Sequence, residues 1–183
     1  MINREIIRNK IVQLTYAYYL NGNKNIDTAE KELFFSLSKA YDLYNHLLSL
    51  IVAVTKEAQR RLEVTQGRAK REGTPEPSQK FAYNRFAIQL QENKALNEFI
   101  GNQKTNWADT PVPGQLFETI EQSEIYKEYM ASSEDTYDAD RELWRKLYKN
   151  FIQENADLDN VLEDQSLYWN DDKEIVDTFV LKT

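Results

Sequence analysis

Two clusters of basic side chains are the residues of this sequence best suited to chemistry, namely the binding of nucleic-acid phosphates. The first lies at the amino end and comprises Arg4, Arg8 and Lys10. The second, a secondary basic patch, comprises Arg60, Arg61, Arg68, Lys70 and Arg71. Cations at the amino end of a helix oppose its dipole, whereas cations at the carboxyl end favour it. Local helix stability therefore explains the second cluster and not the first, for which an anionic ligand or salt bridges to acidic residues are the alternatives.

The residue types that most enzymes need are nearly missing. The chain has no Cys and a single His, His46, which disfavours thiolate nucleophiles, sulfur-ligated zinc, His-based triads and multi-histidine metal sites. Its five glycines form no phosphate-cradling motif. Carboxylate pairs abound between Glu118 and Asp177, as on any solvated acidic helix face. We predict a protein that is not an enzyme and has no catalytic residue, cofactor or metal, with a metal-carboxylate enzyme as a distant alternative.

Charge is unevenly distributed along the chain. The net charge is −7 over 183 residues. Residues 1–117 hold 16 Lys and Arg against 12 Asp and Glu, whereas residues 118–183 hold 7 against 18. The overall acidity thus conceals a basic amino-terminal half that could meet an anionic partner. No signal-peptide pattern and no apolar run of membrane-spanning length is present, so we expect a cytoplasmic protein.

A helix predicted from Arg4 to about Leu20 positions the first cluster, with Asn3 as its cap and Asn21-Gly22-Asn23 as its terminator. Its apolar residues cover more than half of the circumference, which predicts a central helix with only the first turns exposed. These residues are Ile7, Ile11, Val12, Leu14, Ala17, Tyr18 and Tyr19.

A long helix, or two stacked ones, is predicted from about Thr28 to Leu62, ending beside the second cluster. Apolar residues recur there at alternating spacings of four and three, the clearest periodicity in the chain. They are Leu33, Leu37, Ala40, Tyr44, Leu47, Ile51, Val54 and Ala58. Residues 66–80 contain Gly73, Pro75 and Pro77 and are predicted to form a basic linker.

The remaining residues predict further helices over Phe81–Ile100, Leu116–Met130 with a break at Ser123, Thr136–Asn155 and Leu158–Leu167. A last helix starting at Asp171 is expected to continue beyond Thr183. The fold class is therefore an all-α bundle of five to seven helices around a central amino-terminal helix. We divide it into residues 1–65, the linker 66–80 and an acidic helical region 81–183.

The first helix resembles the opening helix of the NusB transcription antitermination factors. Those proteins begin with an arginine-rich turn, followed by Arg, four residues, Gln, two residues and an aromatic residue that is usually Tyr. Arg8, Gln13 and Tyr16 stand at these positions, and Arg4 and Lys10 supply the basic surroundings. The family's carboxy-terminal signatures, Pro-Val-x-Ile-Asn-Glu and Phe-Val-Asn-Gly, are missing. The chain is thus similar to the amino-terminal part of an extended family member.

The resemblance implies an RNA-binding protein that acts with the ribosomal protein NusE on a boxA-type RNA, so that transcription of ribosomal RNA operons resists termination. RNA polymerase would be an indirect partner. Arg4, Arg8 and Lys10 would face the RNA, while Gln13 and Tyr16 would fix the helix against its neighbours and border the partner surface. The alternative is a helical protein-interaction module without nucleic acid, in which the stripe from Leu33 to Ala58 forms a homodimer or docks a partner helix.

Overall fold

The computed structural model describes residues 4–20, 22 and 25–183, and these residues contain helices and no strand, which confirms the all-α prediction. They form nine α-helices rather than the five to seven expected, with a 3-10 turn at Trp107–Asp109 and a π-helical segment at Tyr148–Ile152. The nine helices are α1 (Arg4–Leu20), α2 (Ile26–Glu72), α3 (Arg85–Gln91), α4 (Lys94–Asn102), α5 (Val112–Gln122), α6 (Glu124–Ala131), α7 (Tyr137–Leu147), α8 (Ala156–Gln165) and α9 (Lys173–Val180).

The first helix has the bounds predicted from the sequence. The predicted cap Asn3 and terminator residues Asn21 and Asn23 lie outside the described residues. Gly22 is described and has φ 59°, the left-handed conformation that a glycine adopts at low cost after a helix. The helix therefore stops where the sequence places the terminator.

Helix α2 continues to Glu72, ten residues beyond its predicted end, so the predicted linker 66–80 is wrong over its first half. Gly67 lies inside the helix, whereas Gly73 has φ 66° and the Thr74 backbone N–H donates to the Ala69 carbonyl at 3.1 Å. Gly73 is thus the terminator. Although α2 has 47 residues, neither it nor any other described helix is sufficiently apolar over its length to cross a membrane.

Contacts divide the chain into two compact units that differ from the predicted division. Unit 1 combines Met1–Tyr44 with Asp159–Thr183, and unit 2 is Asn45–Leu158. The long helix α2 contributes residues to both. The amino-terminal helix is therefore grouped with the far end of the chain, not with residues 45–65.

Unit 2 has a core of large apolar side chains. Phe81 lies with its ring centroid 5.6 Å from those of both Phe117 and Trp144, and the three rings are almost inaccessible to solvent. The predicted break at Ser123 is confirmed, because its hydroxyl accepts from the Tyr126 N–H and caps α6. A single helix over Phe81–Ile100 was expected, but asparagine caps start two separate helices there.

The two caps of that region are Asn84, which accepts from the Ala87 N–H at 3.1 Å, and Asn93, which accepts from the Leu96 N–H at 3.0 Å. An asparagine side chain bonds the free N–H groups of a first turn more readily than it sits inside a helix. The chain therefore turns at each asparagine.

In unit 1 the carboxy-terminal segment packs against α1 and the start of α2. The Trp169 indole N–H donates to the Lys39 carbonyl at 3.0 Å, and the Tyr168 ring meets the Phe35 ring edge-on at 5.4 Å. Lys173 joins α9 to α8 through Asp159 at 3.2 Å. Helix α9 starts at Lys173, two residues after its predicted start, and ends at Val180.

Candidate nucleic-acid interface

Helix α1 exposes most of its surface instead of lying at the centre of a bundle. Only Ile6 and Lys10 are buried along its 17 residues. Val12 is 68% exposed, Tyr16 67% and Tyr19 83%. The predicted central helix is therefore wrong, and the apolar residues thought to widen its buried surface instead face solvent.

Arg4 and Arg8 are exposed on the first two turns of α1. At about 100° per residue they project from one side of the helix, about 6 Å apart along its axis. Within the described residues neither guanidinium has an ion pair or hydrogen bond. Both carry their charge beside the positive end of the helix dipole, and a phosphate would relieve that unfavourable arrangement.

Lys10 is not part of this exposed pair, which corrects its prediction as an RNA-facing residue. It projects from the far side of α1, and its Nζ lies 2.8 Å from Oδ1 of Asp172, with side chains only 6% and 4% exposed. Burial raises the pKa of the Asp172 carboxyl above its ordinary value, and the Lys10 ammonium opposes that shift. Lys10 therefore fixes α1 to the residue that precedes α9.

Gln13 and Tyr16 have different surroundings. The Gln13 side-chain amide donates to Oδ2 of Asp171 at 3.3 Å, so Gln13 adds a second contact between α1 and the segment before α9. Tyr16 is largely exposed and lies on the same line of four-residue spacings as Arg8 and Val12. Of the two, Gln13 has a helix-fixing contact and Tyr16 is open to a partner.

The secondary basic patch divides into two arginines that share the Glu57 carboxylate and three more exposed cations near the end of α2. Arg60 donates twice to the Glu57 carboxylate, at 2.8 and 2.7 Å, and Arg61 bonds both Glu57 at 2.7 Å and Glu118 at 2.9 Å. The hydrogen bonds from Arg60, and then Arg61, lower the pKa of Glu57 to about 2. Arg60 and Arg61 are thus committed to local ion pairs.

Arg68, Lys70 and Arg71 remain exposed near the end of α2. Lys70 lies 4.0 Å from a Glu76 oxygen, and Arg71 donates to the Gly67 carbonyl at 3.0 Å. Such contacts at a helix carboxyl end are what dipole complementarity alone favours. This patch therefore gives weaker support to RNA binding than Arg4 and Arg8 do.

The acidic half of the chain forms a groove in unit 2 that nucleic acid would avoid. It has a volume of about 350 Å³ between α6 and α7 and is lined by four carboxylates, Glu128, Glu134, Asp138 and Glu142, and by one cation, Lys146. Among the described residues, no group of three or more His, Asp or Glu side chains is placed to hold a metal ion. His46 is buried, and burial lowers its pKa to about 4.

Unit 1 also contains an apolar groove that the sequence interpretation missed. It has a volume of about 370 Å³ between α1 and the start of α2 and is lined mostly by apolar side chains. The one sequence signal that pointed to this groove is the unusual width of the apolar surface on α1. By contrast, the stripe expected to form a dimer is buried within the chain at Ala40, Leu47, Ile51, Val54 and Ala58.

No protein-family model, no curated protein and no solved structure matches this chain. The resemblance to the NusB factors therefore depends on the residues of α1, and functional assignment depends on the geometry of that helix.

Proposed function

We propose that the protein is an RNA-binding factor of the NusB antitermination type, in which Arg4 and Arg8 bind RNA phosphates. The observation that carries the proposal is the exposure of these two arginines at the amino end of α1, without an ionic partner among the described residues. A helix start that concentrates positive charge is unfavourable unless an anion is bound there. By the family resemblance, the RNA would be a boxA-type element bound together with the ribosomal protein NusE.

The mechanism would be electrostatic positioning of the RNA backbone. Two guanidinium groups one turn apart can each contact a phosphate of one strand, and such contacts fix register without reading bases. Sequence specificity would then be shared with the protein partner. The exposed Tyr16, two turns beyond Arg8, would border that partner.

The test is a fluorescence anisotropy titration of a labelled single-stranded RNA that carries a boxA-type element, at several KCl concentrations. Loss of two phosphate contacts in Arg4→Ala/Arg8→Ala should reduce the slope of log affinity against log salt by about 1.4, at about 0.7 per contact for single strands. Lys10→Met should leave this slope unchanged when it is measured on folded protein, because Lys10 contacts Asp172.

A charge-matched control is Arg145→Ala/Lys149→Ala, which removes two exposed cations at the same four-residue spacing from another helical segment. We expect affinity within about twofold of the unaltered chain, because distant charges are screened at these ionic strengths. An unchanged slope in the Arg4/Arg8 variant, or an equal loss in the control, would remove the role proposed for these arginines.

A second candidate function is a helical protein-interaction module, and a specific observation favours it. Of fourteen large hydrophobic side chains exposed among the described residues, nine lie between Ile11 and Tyr41. Such concentration of exposed apolar surface marks an interaction site more often than chance. This function predicts concentration-dependent association, and by itself it predicts no salt-sensitive RNA binding.

A further inference from the structure

The surface shared by α1 and the start of α2 forms a helical hairpin with one apolar face. Only five residues separate Leu20 from Ile26, a length typical of antiparallel helix pairs, and residues of both helices line one groove. Their groove is lined by Ile11, Leu14, Thr15, Tyr18, Ile26, Ala29, Glu30 and Leu33. Among the described residues that line the groove, Glu30 alone is charged.

The same two helices carry further exposed apolar side chains. Ile11 and Ile26, which line the groove, are 46% and 74% exposed, and Val12, Tyr19, Phe34 and Tyr41, which lie outside its lining, are between 56% and 83% exposed. With about 200 Å² for a whole aromatic side chain and somewhat less for an aliphatic one, these six expose roughly 700 Å². The largest apolar patch of a typical monomer is about 300–600 Å².

The area of the hairpin face is close to what a stable association between two proteins needs. A standard interface covers about 800 Å² on each partner. Two helical hairpins that place such faces against each other bury all four apolar stripes in one four-helix arrangement, with one two-fold axis relating the copies. In such a symmetric pair, the apolar face of one copy contacts the apolar face of the other.

We propose that a second copy of this chain covers the hairpin face through its own α1 and α2 start. The inference rests on the second candidate function, association through helices, and does not depend on RNA binding. It also relocates the homodimer surface, from the stripe that is buried inside the chain to the open groove beside α1.

The test is sedimentation equilibrium of the full 183-residue chain over a range of concentrations, compared with Ile26→Glu. A glutamate in the first turn of α2 suits the helix dipole, so the variant should keep its far-UV circular dichroism. We expect a monomer–dimer equilibrium for the unaltered chain. Ile26→Glu should weaken it about a hundredfold, because each copy loses one isoleucine at about tenfold each.

The matched control is Val64→Glu, at another exposed aliphatic residue of α2 that is 48% exposed and lies in unit 2. It should dimerise as the unaltered chain does. A monomer at every concentration would overturn the proposal and leave the face to a different protein. Equal weakening by Ile26→Glu and Val64→Glu would overturn the assigned surface. RNA titrations of the same samples test the RNA-binding proposal separately.

A second readout uses the absence of Cys from the chain. Thr15 and Thr65 are both exposed helical threonines whose hydroxyls donate to the carbonyl four residues earlier. Under mild oxidation Thr15→Cys should form a disulfide-linked dimer faster than Thr65→Cys, because residue 15 lines the proposed interface and residue 65 does not. Equal rates would contradict the placement of the interface.

Discussion

The ion pair between Lys10 and Asp172 makes a quantitative prediction about the placement of α1. Both side chains are at least 94% buried, and their charged atoms lie 2.8 Å apart. Removing one partner of a buried pair typically costs about 3–5 kcal/mol, because the other charge stays buried alone. Lys10→Met, which keeps the length of the side chain and removes its charge, should therefore lower the free energy of unfolding by several kcal/mol.

Protonation of Asp172 sets an upper limit on that loss. Its ordinary pKa is 3.8, so neutralising the carboxyl at pH 7 costs about 4 kcal/mol, at 1.36 kcal/mol per pKa unit. We expect a loss of about 3–4 kcal/mol at pH 7. Without Lys10 the folded-state pKa of Asp172 rises further, so the folded state holds its proton more tightly than the unfolded state. The loss should then shrink as the pH falls below 7, by at most about 1.4 kcal/mol for each pH unit.

Urea unfolding followed by circular dichroism at pH 7 and pH 5 measures both effects. Lys31→Met, an exposed cation on α2, is the control and should change stability by less than about 0.5 kcal/mol. The double variant Lys10→Met/Asp172→Asn should recover most of the loss, since no buried charge remains. The reasoning is refuted if Lys10→Met costs less than about 1 kcal/mol at pH 7 and reduces the salt dependence of RNA affinity instead.

Two further predictions concern buried polar groups of unit 2. His46, whose ring stacks on Trp107 at 4.4 Å, has a pKa lowered from 6.5 to about 4 by burial. The unfolded chain therefore binds the proton first, and stability should fall by about 3 kcal/mol as the pH drops from 6.5 to 4. Urea unfolding of His46→Gln should lack that part of the pH dependence, and an identical profile would contradict it. The Asp140 carboxylate accepts from the Arg85 backbone N–H at 2.8 Å and from the Tyr129 hydroxyl, so Asp140→Ala should lose about 2–3 kcal/mol by leaving buried donors unsatisfied. A loss below about 0.5 kcal/mol in the same assay would show that these bonds are dispensable.

Local signals predicted much of the helical structure. The bounds of α1 and the cap at Ser123 follow from residue types within a few positions. The predicted linker began too early, because Gly67 lies inside α2 and one glycine costs a helix only about 1 kcal/mol. Good helix formers on both sides of it continue α2 to Gly73, where the positive φ does end the helix.

The candidate site was harder to predict, because its organisation depends on a residue far along the chain. Arg4, Arg8 and Lys10 have the same chemistry and lie within two turns, so nothing local separates the two exposed guanidinium groups from the buried ammonium. The separation depends on Asp172, 162 residues further on. Periodicity likewise cannot show which apolar face of α1 another helix covers, and Val12 and Tyr19 proved to be exposed.

The division of unit 1 between both ends of the chain has a consequence for its synthesis. When the ribosome has added residue 158, all of unit 2 has been made, whereas unit 1 still lacks its second segment, Asp159–Thr183. Contacts of such long sequence separation form slowly, because a large loop must close first. We expect unit 2 to begin folding before unit 1 is complete, and α1 to dock only when Asp172, which follows unit 2 in the chain, is available. Unit 2 would therefore complete its folding before unit 1, although unit 1 contains the first residue of the chain.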